Sequence, residues 1–229
     1  MNSFAKLITA VFMMLLFSGC AQMGTKQESF PSMYTDKKPV TILVVPAINE
    51  STAADAGDLL NVTVAQPFTN HGYYVLPMPI VAHIFRNEGI LEGTQLKGIP
   101  TSIFKDNFGA DAVLFMTIES WDKNYAVLAA NVVVGIEYVL LSTTSNEVLW
   151  SYEQQVVVDT SGGSGNIFAD VISTALATGL TDYSSVARQV HAEAVKALPF
   201  GEYHPRSGVD GAERTVILEK QEAALAEGS

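Results

Sequence analysis

Cysteine occurs once in this chain of 229 residues, at position 20, so no disulfide can form within it. Any fold it adopts must be held by buried apolar surface, because exported domains that cannot build a core depend on cystine staples. The composition permits such a core: 48% of the residues are hydrophobic, with eleven Phe and two Trp, and only 16% are charged. A lone thiol also leaves no cysteine pair for a zinc or redox site.

The position of that cysteine adds a second constraint. Residues 1–19 carry one charge, Lys6, followed by an uncharged apolar run from Leu7 to Phe17 and the small pair Ser18-Gly19. A basic start, a short apolar stretch and a small-residue cut site describe a secretory signal. The run is too short to cross a hydrocarbon core, which needs about 20 apolar residues. Leu16-Phe17-Ser18-Gly19-Cys20 resembles the bacterial lipobox, with Phe17 where Leu is usual. That resemblance implies a diacylglyceryl-modified Cys20 as the mature N-terminus. A buried cysteine on a core helix suits the residue type but not its place. Ala21 follows, rather than the Asp that retains many lipoproteins at the inner membrane.

Charge excludes one class of partner. Thirteen basic residues stand against 24 acidic ones, a formal net of −11 that becomes −12 once Lys6 leaves with the signal. Residues 124–187 contain no Lys or Arg and six acidic side chains. Nucleic-acid binding needs clustered cations, so none is expected. Attachment to anionic lipid by charge is equally unexpected, which leaves acyl chains as the route to a membrane.

The remaining pattern is mixed α/β. Residues 20–38 are polar with small apolar islands and read as a lipidated tether, with a reach of about 20–25 Å for a flexible chain. Val40–Pro46 is a buried strand, Asn49–Thr52 a turn, and 53–70 a helix that Pro67 kinks. A short strand at 73–76 and helices at 80–87 and 101–108 follow. The stretch 111–121 is a third strand, and 125–142 with 147–159 forms an antiparallel meander around a turn at 143–146. Helices are expected at 166–179 and 184–198, the right-handed crossover rule places the first helices on one face of the sheet, and 215–227 reads as a marginal helix. The expected organisation is a signal at 1–19, the tether at 20–38, one α/β domain with a mixed sheet at 39–200, and a flexible tail at 201–229. The cation-free stretch 126–141 reads either as a central strand buried on both faces or as a sheet surface used in self-association.

Chemistry-bearing patterns are weak. Ser161–Asn166 is glycine-rich and precedes a helix, but it lacks both the P-loop Lys-Ser/Thr and the GxGxxG spacing, so it reads as a connector. His71, His83, His191 and His204 form no HExxH or HxH pair. His191 and Glu193, two apart on a helix, do not face each other. Ser161 or Ser164 would be the least unsuitable nucleophile, yet there is no nucleophile elbow. Glu119 and Asp122 could pair as acid and base, though a solvated strand end is the plainer reading. No catalytic residue, metal site or cofactor is assigned, and no enzymatic activity is expected.

Several stretches together look like one family. Cys20 behind its lipobox, Phe30–Tyr34, Ile42–Ser51, Gly72–Pro77, Phe108–Phe115 and Trp121 resemble the lipoproteins of Gram-negative bacteria typified by a meningococcal vaccine-candidate lipoprotein. The resemblance covers about residues 20–200. It implies a fold similar to the N-terminal domain of the Tol translocation protein TolB, and a lipid-anchored outer-membrane protein facing the periplasm. It also implies a non-enzymatic accessory of an envelope transport or secretion assembly, a homodimer, and a partner such as a lipoprotein similar to the curli secretion channel. An envelope hydrolase, a cell-wall-binding protein and a periplasmic small-ligand-binding domain remain the alternatives.

Overall fold

The computed structural model describes residues 23–35, 38–126, 129–159 and 184–216. The sequence order is β1 (Met23–Thr25), α1 (Lys26–Ser29), a 3₁₀ turn (Pro31–Tyr34), β2 (Thr41–Val44) and β3 (Ile48–Asn49). Next come α2 (Ala56–Thr63), α3 (Ala65–Asn70), β4 (Tyr74–Val75), α4 (Met78–Asn87), a 3₁₀ turn (Gly93–Leu96) and α5 (Ser102–Phe108). The chain continues through β5 (Ala112–Ala126), β6 (Ala129–Ser142), β7 (Val148–Asp159), α6 (Ser184–Ala197) and β8 (Arg214–Val216).

The main sheet is mixed, as the sequence predicts. Its order is β4-β2-β5-β6-β7, with β3 beside β5. β4, β2, β3 and β5 are parallel neighbours, while β5, β6 and β7 form the antiparallel meander. The helices do not share a face as expected. α2 and α3 pack through Leu60, Val64 and Phe68 on Ile42, Val44 and Leu114, whereas α4 and α5 pack through Phe85 and Phe104 on Leu43, Val45 and Val113. Strand order explains this. The chain leaves β2 in one direction to reach β4, then returns across β2 to reach β5, and two crossovers of one hand running in opposite directions must lie on opposite faces.

Alternation sorts each strand between these layers. On β5, Ala112, Leu114, Met116 and Ile118 face the first core, and Trp121 joins them although three residues beyond Ile118. A bulge makes this possible: the register runs Ile118↔Ile136 and then Ser120↔Gly135, with Glu119 as the extra, exposed residue of the strand. The extra residue restores the face that strict alternation would reverse.

The predicted helix over 53–70 is two. Pro67 cannot donate to Thr63 and its ring crowds that carbonyl, so the chain breaks at Val64 between α2 and α3. The predicted turn at 49–52 begins inside a strand, since Ile48 and Asn49 pair with Thr117 and Ile118.

The largest correction concerns the two ends. Of the stretch read as a tether, residues 23–34 are folded. Thr25 and Glu28 form a capping box, with the Thr25 amide donating to Glu28 Oε2 at 2.9 Å and the Glu28 amide donating to Thr25 Oγ1 at 3.2 Å. Phe30 and Met33 enter the main core. Of the stretch read as a tail, 201–216 is folded too, and Arg214–Val216 pairs antiparallel with Met23–Thr25 where a helix was expected. At the N-terminal end the apolar islands and the capping box outweigh the polar composition on which the tether reading rested. Residues 1–22 with Cys20, the glycine-rich stretch and the helix expected at 166–179, and 217–229 lie outside the described residues.

Candidate functional site

Two concave regions are built by this arrangement. The first follows from uneven coverage of the sheet. On the face occupied by α4 and α5, the helices cover Leu43, Val45 and Val113 and reach the near edge of the meander, where Phe115 and Leu141 pack against them. Phe115, Thr117, Glu137, Val139 and Leu141 are half-buried. They floor a cleft of about 660 Å³, walled by the segment 96–102 on one side and by the hairpin turn 143–146 on the other. β6 is therefore interior in strand order but buried on only one face over its described side chains, which settles neither expectation for 126–141 outright. The register sets Glu137 opposite Glu153, with Thr117 on the other side of Glu137. Of the charged groups that line the cleft, Glu137 stands on the floor and Lys97 on the wall.

The second region lies at the carboxyl ends of β2 and β4. The helix after β2 is on one face and the helix after β4 is on the other, which opens a crevice between them; in open α/β sheets such switch points are where ligands bind. Here the crevice has a volume of about 570 Å³ and is lined by Val44, Val75, Phe85 and Leu91, with Asp58, Asn61 and Arg86 as polar groups. That size suits a small molecule. Val62 and Leu91 on its rim are 72% and 69% exposed. Asn61 Oδ1 is buried with no hydrogen-bond partner among the described residues. An unsatisfied buried acceptor costs about 1–3 kcal/mol, a cost that a donor on a bound molecule would remove.

The histidines are structural where their surroundings are described. His191 is buried between β6 and α2. Its Nε2 donates to the Leu60 carbonyl at 3.2 Å, which leaves Nδ1 to accept from the Tyr138 hydroxyl at 2.9 Å. Burial pushes its pKa down to about 4, opposed only in part by the Leu60 carbonyl. His71 donates to the Leu198 carbonyl at 2.8 Å, and burial lowers it to about 4 as well. The structure brings His71 and His204 together, 6.0 Å apart, around Phe200. His83 is exposed on α4, beside Asn87. Glu119 sits in the bulge, exposed, and Asp122's side chain is outside the described residues, as are Ser161 and Ser164. No group of three or more His, Cys, Asp or Glu among the described residues could hold a metal ion.

Sequence reasoning missed the buried ion pair that joins the two ends. Lys26 Nζ lies 3.2 Å from Asp210 Oδ2 and 3.2 Å from Glu213 Oε2, and 5.0 Å above the Phe200 ring. Asp210 also accepts from the Tyr34 hydroxyl at 3.1 Å and the Phe200 amide at 2.9 Å. Burial, helped by the Asp210 charge, raises the Tyr34 pKa and keeps its hydroxyl protonated as a donor.

A family profile described as "Putative lipoprotein GNA1162-like" matches residues 31–200. The chain belongs to this family. The lipoprotein NMB1124/NMB1162 of Neisseria meningitidis serogroup B is 25% identical over 179 residues, 77% of this chain and 83% of the relative. The crystal structure of lipoprotein GNA1162 from Neisseria meningitidis superposes with a TM-score of 0.53 at 24% identity, covering 61% of this chain and 97% of that one. That likeness shows the fold. A dodecamer of PelC from Paraburkholderia phytofirmans is more distant, with a TM-score of 0.46 at 17% identity over 71% of this chain and 89% of that one. Among the described residues, no helix is long and apolar enough to cross a membrane.

Proposed function

We propose that this protein is acylated at Cys20, sits on the periplasmic side of the outer membrane, and acts without catalysis as an accessory component of an envelope transport or secretion assembly. Family membership supports the lipoprotein character, and the lipobox and Ala21 support the anchor and its membrane. The observation that carries the binding role is the half-covered sheet. The face of Phe115, Glu137 and Val139 is a ready surface for a protein partner, either a second copy in a homodimer or an envelope protein such as a channel-forming lipoprotein.

A photo-crosslinking amino acid at Val139, in the full chain in cells, tests the reading. Adducts with a second copy or an envelope protein, absent when the crosslinker sits at Ile103 on the outer side of α5, are expected. A protein that crosslinks to nothing from Val139 sinks the reading. A Cys20→Ser chain is expected to leave the membrane fraction and lose its lipid label.

A second reading is favoured by the crevice between β2 and β4. It would hold a small molecule with an apolar body on Val44, Phe85 and Leu91 and a donor directed at Asn61. Thermal-shift screening of amphiphilic amines and amides tests this, with Asn61→Leu expected to abolish any shift.

A further inference from the structure

The folded ends change what the anchor can do. β1 starts at Met23, and only Ala21 and Gln22 separate it from Cys20. β1 is not loose. It pairs residue for residue with β8, from Met23↔Val216 to Thr25↔Arg214. Immediately after it, the Lys26 amide donates to the Glu213 carbonyl at 2.9 Å and the Gln27 amide to the Gly211 carbonyl at 3.1 Å. The Lys26 side chain is 3% exposed and tied to Asp210, which is fully buried.

We propose that the domain is held directly on the bilayer, with the β1–β8 ribbon at the lipid headgroups. This rests on acylation of Cys20. Three residue steps from Cys20 to Met23 span at most about 11 Å when fully extended. A flexible tether through residue 38 would instead give an r.m.s. reach of about 20–25 Å and free rotation. One two-stranded ribbon, two further backbone hydrogen bonds and a buried ion pair stand between that freedom and this domain. The net charge of −11 offers no general attraction to anionic lipid, so the short acylated leash, rather than surface charge, sets the position. A partner on the open sheet face must then be reached within one domain height of the membrane.

The test uses the full acylated chain in vesicles of phosphatidylethanolamine and phosphatidylglycerol with an energy-transfer acceptor on the headgroups. With Cys20 acylated, an Arg214→Cys substitution at an exposed β8 position gives a single free thiol for the donor dye. Efficient transfer is expected. Inserting 16 Gly/Ser residues between Gln22 and Met23 is expected to cut it at least twofold, and Asp210→Asn, which loosens the ion pair, to reduce it part-way. Equal transfer with and without the insertion, from a chain shown by mass spectrometry to be acylated, overturns the short leash alone. A chain whose Cys20 carries no lipid overturns the anchoring reading instead.

Discussion

Lys26 and Asp210 lie 184 positions apart in the chain, yet their side chains meet in the interior at 3.2 Å. Both are out of water, at 3% and 0% side-chain exposure, so neither charge can be left alone cheaply. Removing one partner of a buried pair costs about 3–5 kcal/mol, whereas replacing both by apolar groups is often neutral. Asp210→Leu is therefore expected to lower unfolding free energy by about 3 kcal/mol, and adding Lys26→Met to recover part of it, since the Tyr34 hydroxyl and the Phe200 amide still lack their acceptor. Urea denaturation of the four-member cycle checks this; additive losses would show that the two residues do not act as a unit.

Acid sensitivity should appear well above the carboxylate range. His191 titrates near 6.5 when unfolded and about 4 when folded, so between those values the unfolded chain holds a proton that the native state lacks. Its contribution is full above pH 6.5 and is lost as pH falls towards 4, about 3 kcal/mol in total from 1.36 kcal/mol per unit. His71 acts in the same direction. Asp111 and Glu213, whose pKa values are lowered, lose their contributions only at lower pH. Stability from chemical denaturation is expected to fall between pH 6.5 and 5, and a His191→Gln chain, less stable at pH 7, to show a shallower slope. A wild-type profile flat across that window would contradict the assignment.

Most of the sheet was legible because its signals are local. Val40–Pro46 is an apolar run closed by proline, the 143–146 turn separates two β-rich stretches, and Gly109 closes α5 in the left-handed conformation at φ +67°. What was not legible depends on distant partners. Residues 21–38 look like a linker because Lys26 and Glu28 are charged; the partner that buries Lys26 lies at 210. Thr25-x-x-Glu28 is a capping-box signature and was the one local sign that this stretch folds. The same holds for the candidate crevice. Asp58, Asn61 and Arg86 form no ligand-binding motif in the sequence, and only the strand order β4-β2-β5 brings them to one opening.

Deleting Glu119 probes the bulge. Without it Ser120 follows Ile118 directly, so Trp121, 1% exposed, stands two positions beyond Ile118 and strict alternation keeps it on the core face in register with Val134. Losing a buried tryptophan costs about 3–5 kcal/mol. The deletion avoids that loss: it is expected to cost less than about 2 kcal/mol and to leave tryptophan emission unshifted, and Glu119→Ala, which keeps the bulge, to cost less than about 1 kcal/mol. A red-shifted emission from the deletion chain would mean that the register beyond the bulge depends on Glu119.

Gly72 and Gly201 govern whether the segment after α6 can return to the core. The Gly201 amide donates to the His71 carbonyl at 2.9 Å and the Tyr203 amide to the Gly72 carbonyl at 3.0 Å. A Cβ on Gly201 would lie 2.2 Å from the Gly72 oxygen, and one on Gly72 would lie 2.5 Å from the His204 nitrogen at a φ of +95°. Both obstacles are backbone, so no side-chain rotation relieves them. Gly201→Ala is expected to be among the most damaging single substitutions, above about 3 kcal/mol, because separating the two segments also pulls Tyr73 from the Pro199 carbonyl and Phe200 from Asp210. Gly208→Ala is the matched control: its φ of +76° carries backbone strain, but its Cβ would meet open space. A loss at 208 as large as that at 201 would assign the effect to conformation rather than contact. Hydrogen exchange decides where the damage falls, with the Gly201 and Tyr203 amides expected to lose protection first and Lys26 and Gln27 to follow, since their partners at 211 and 213 hang from the same segment.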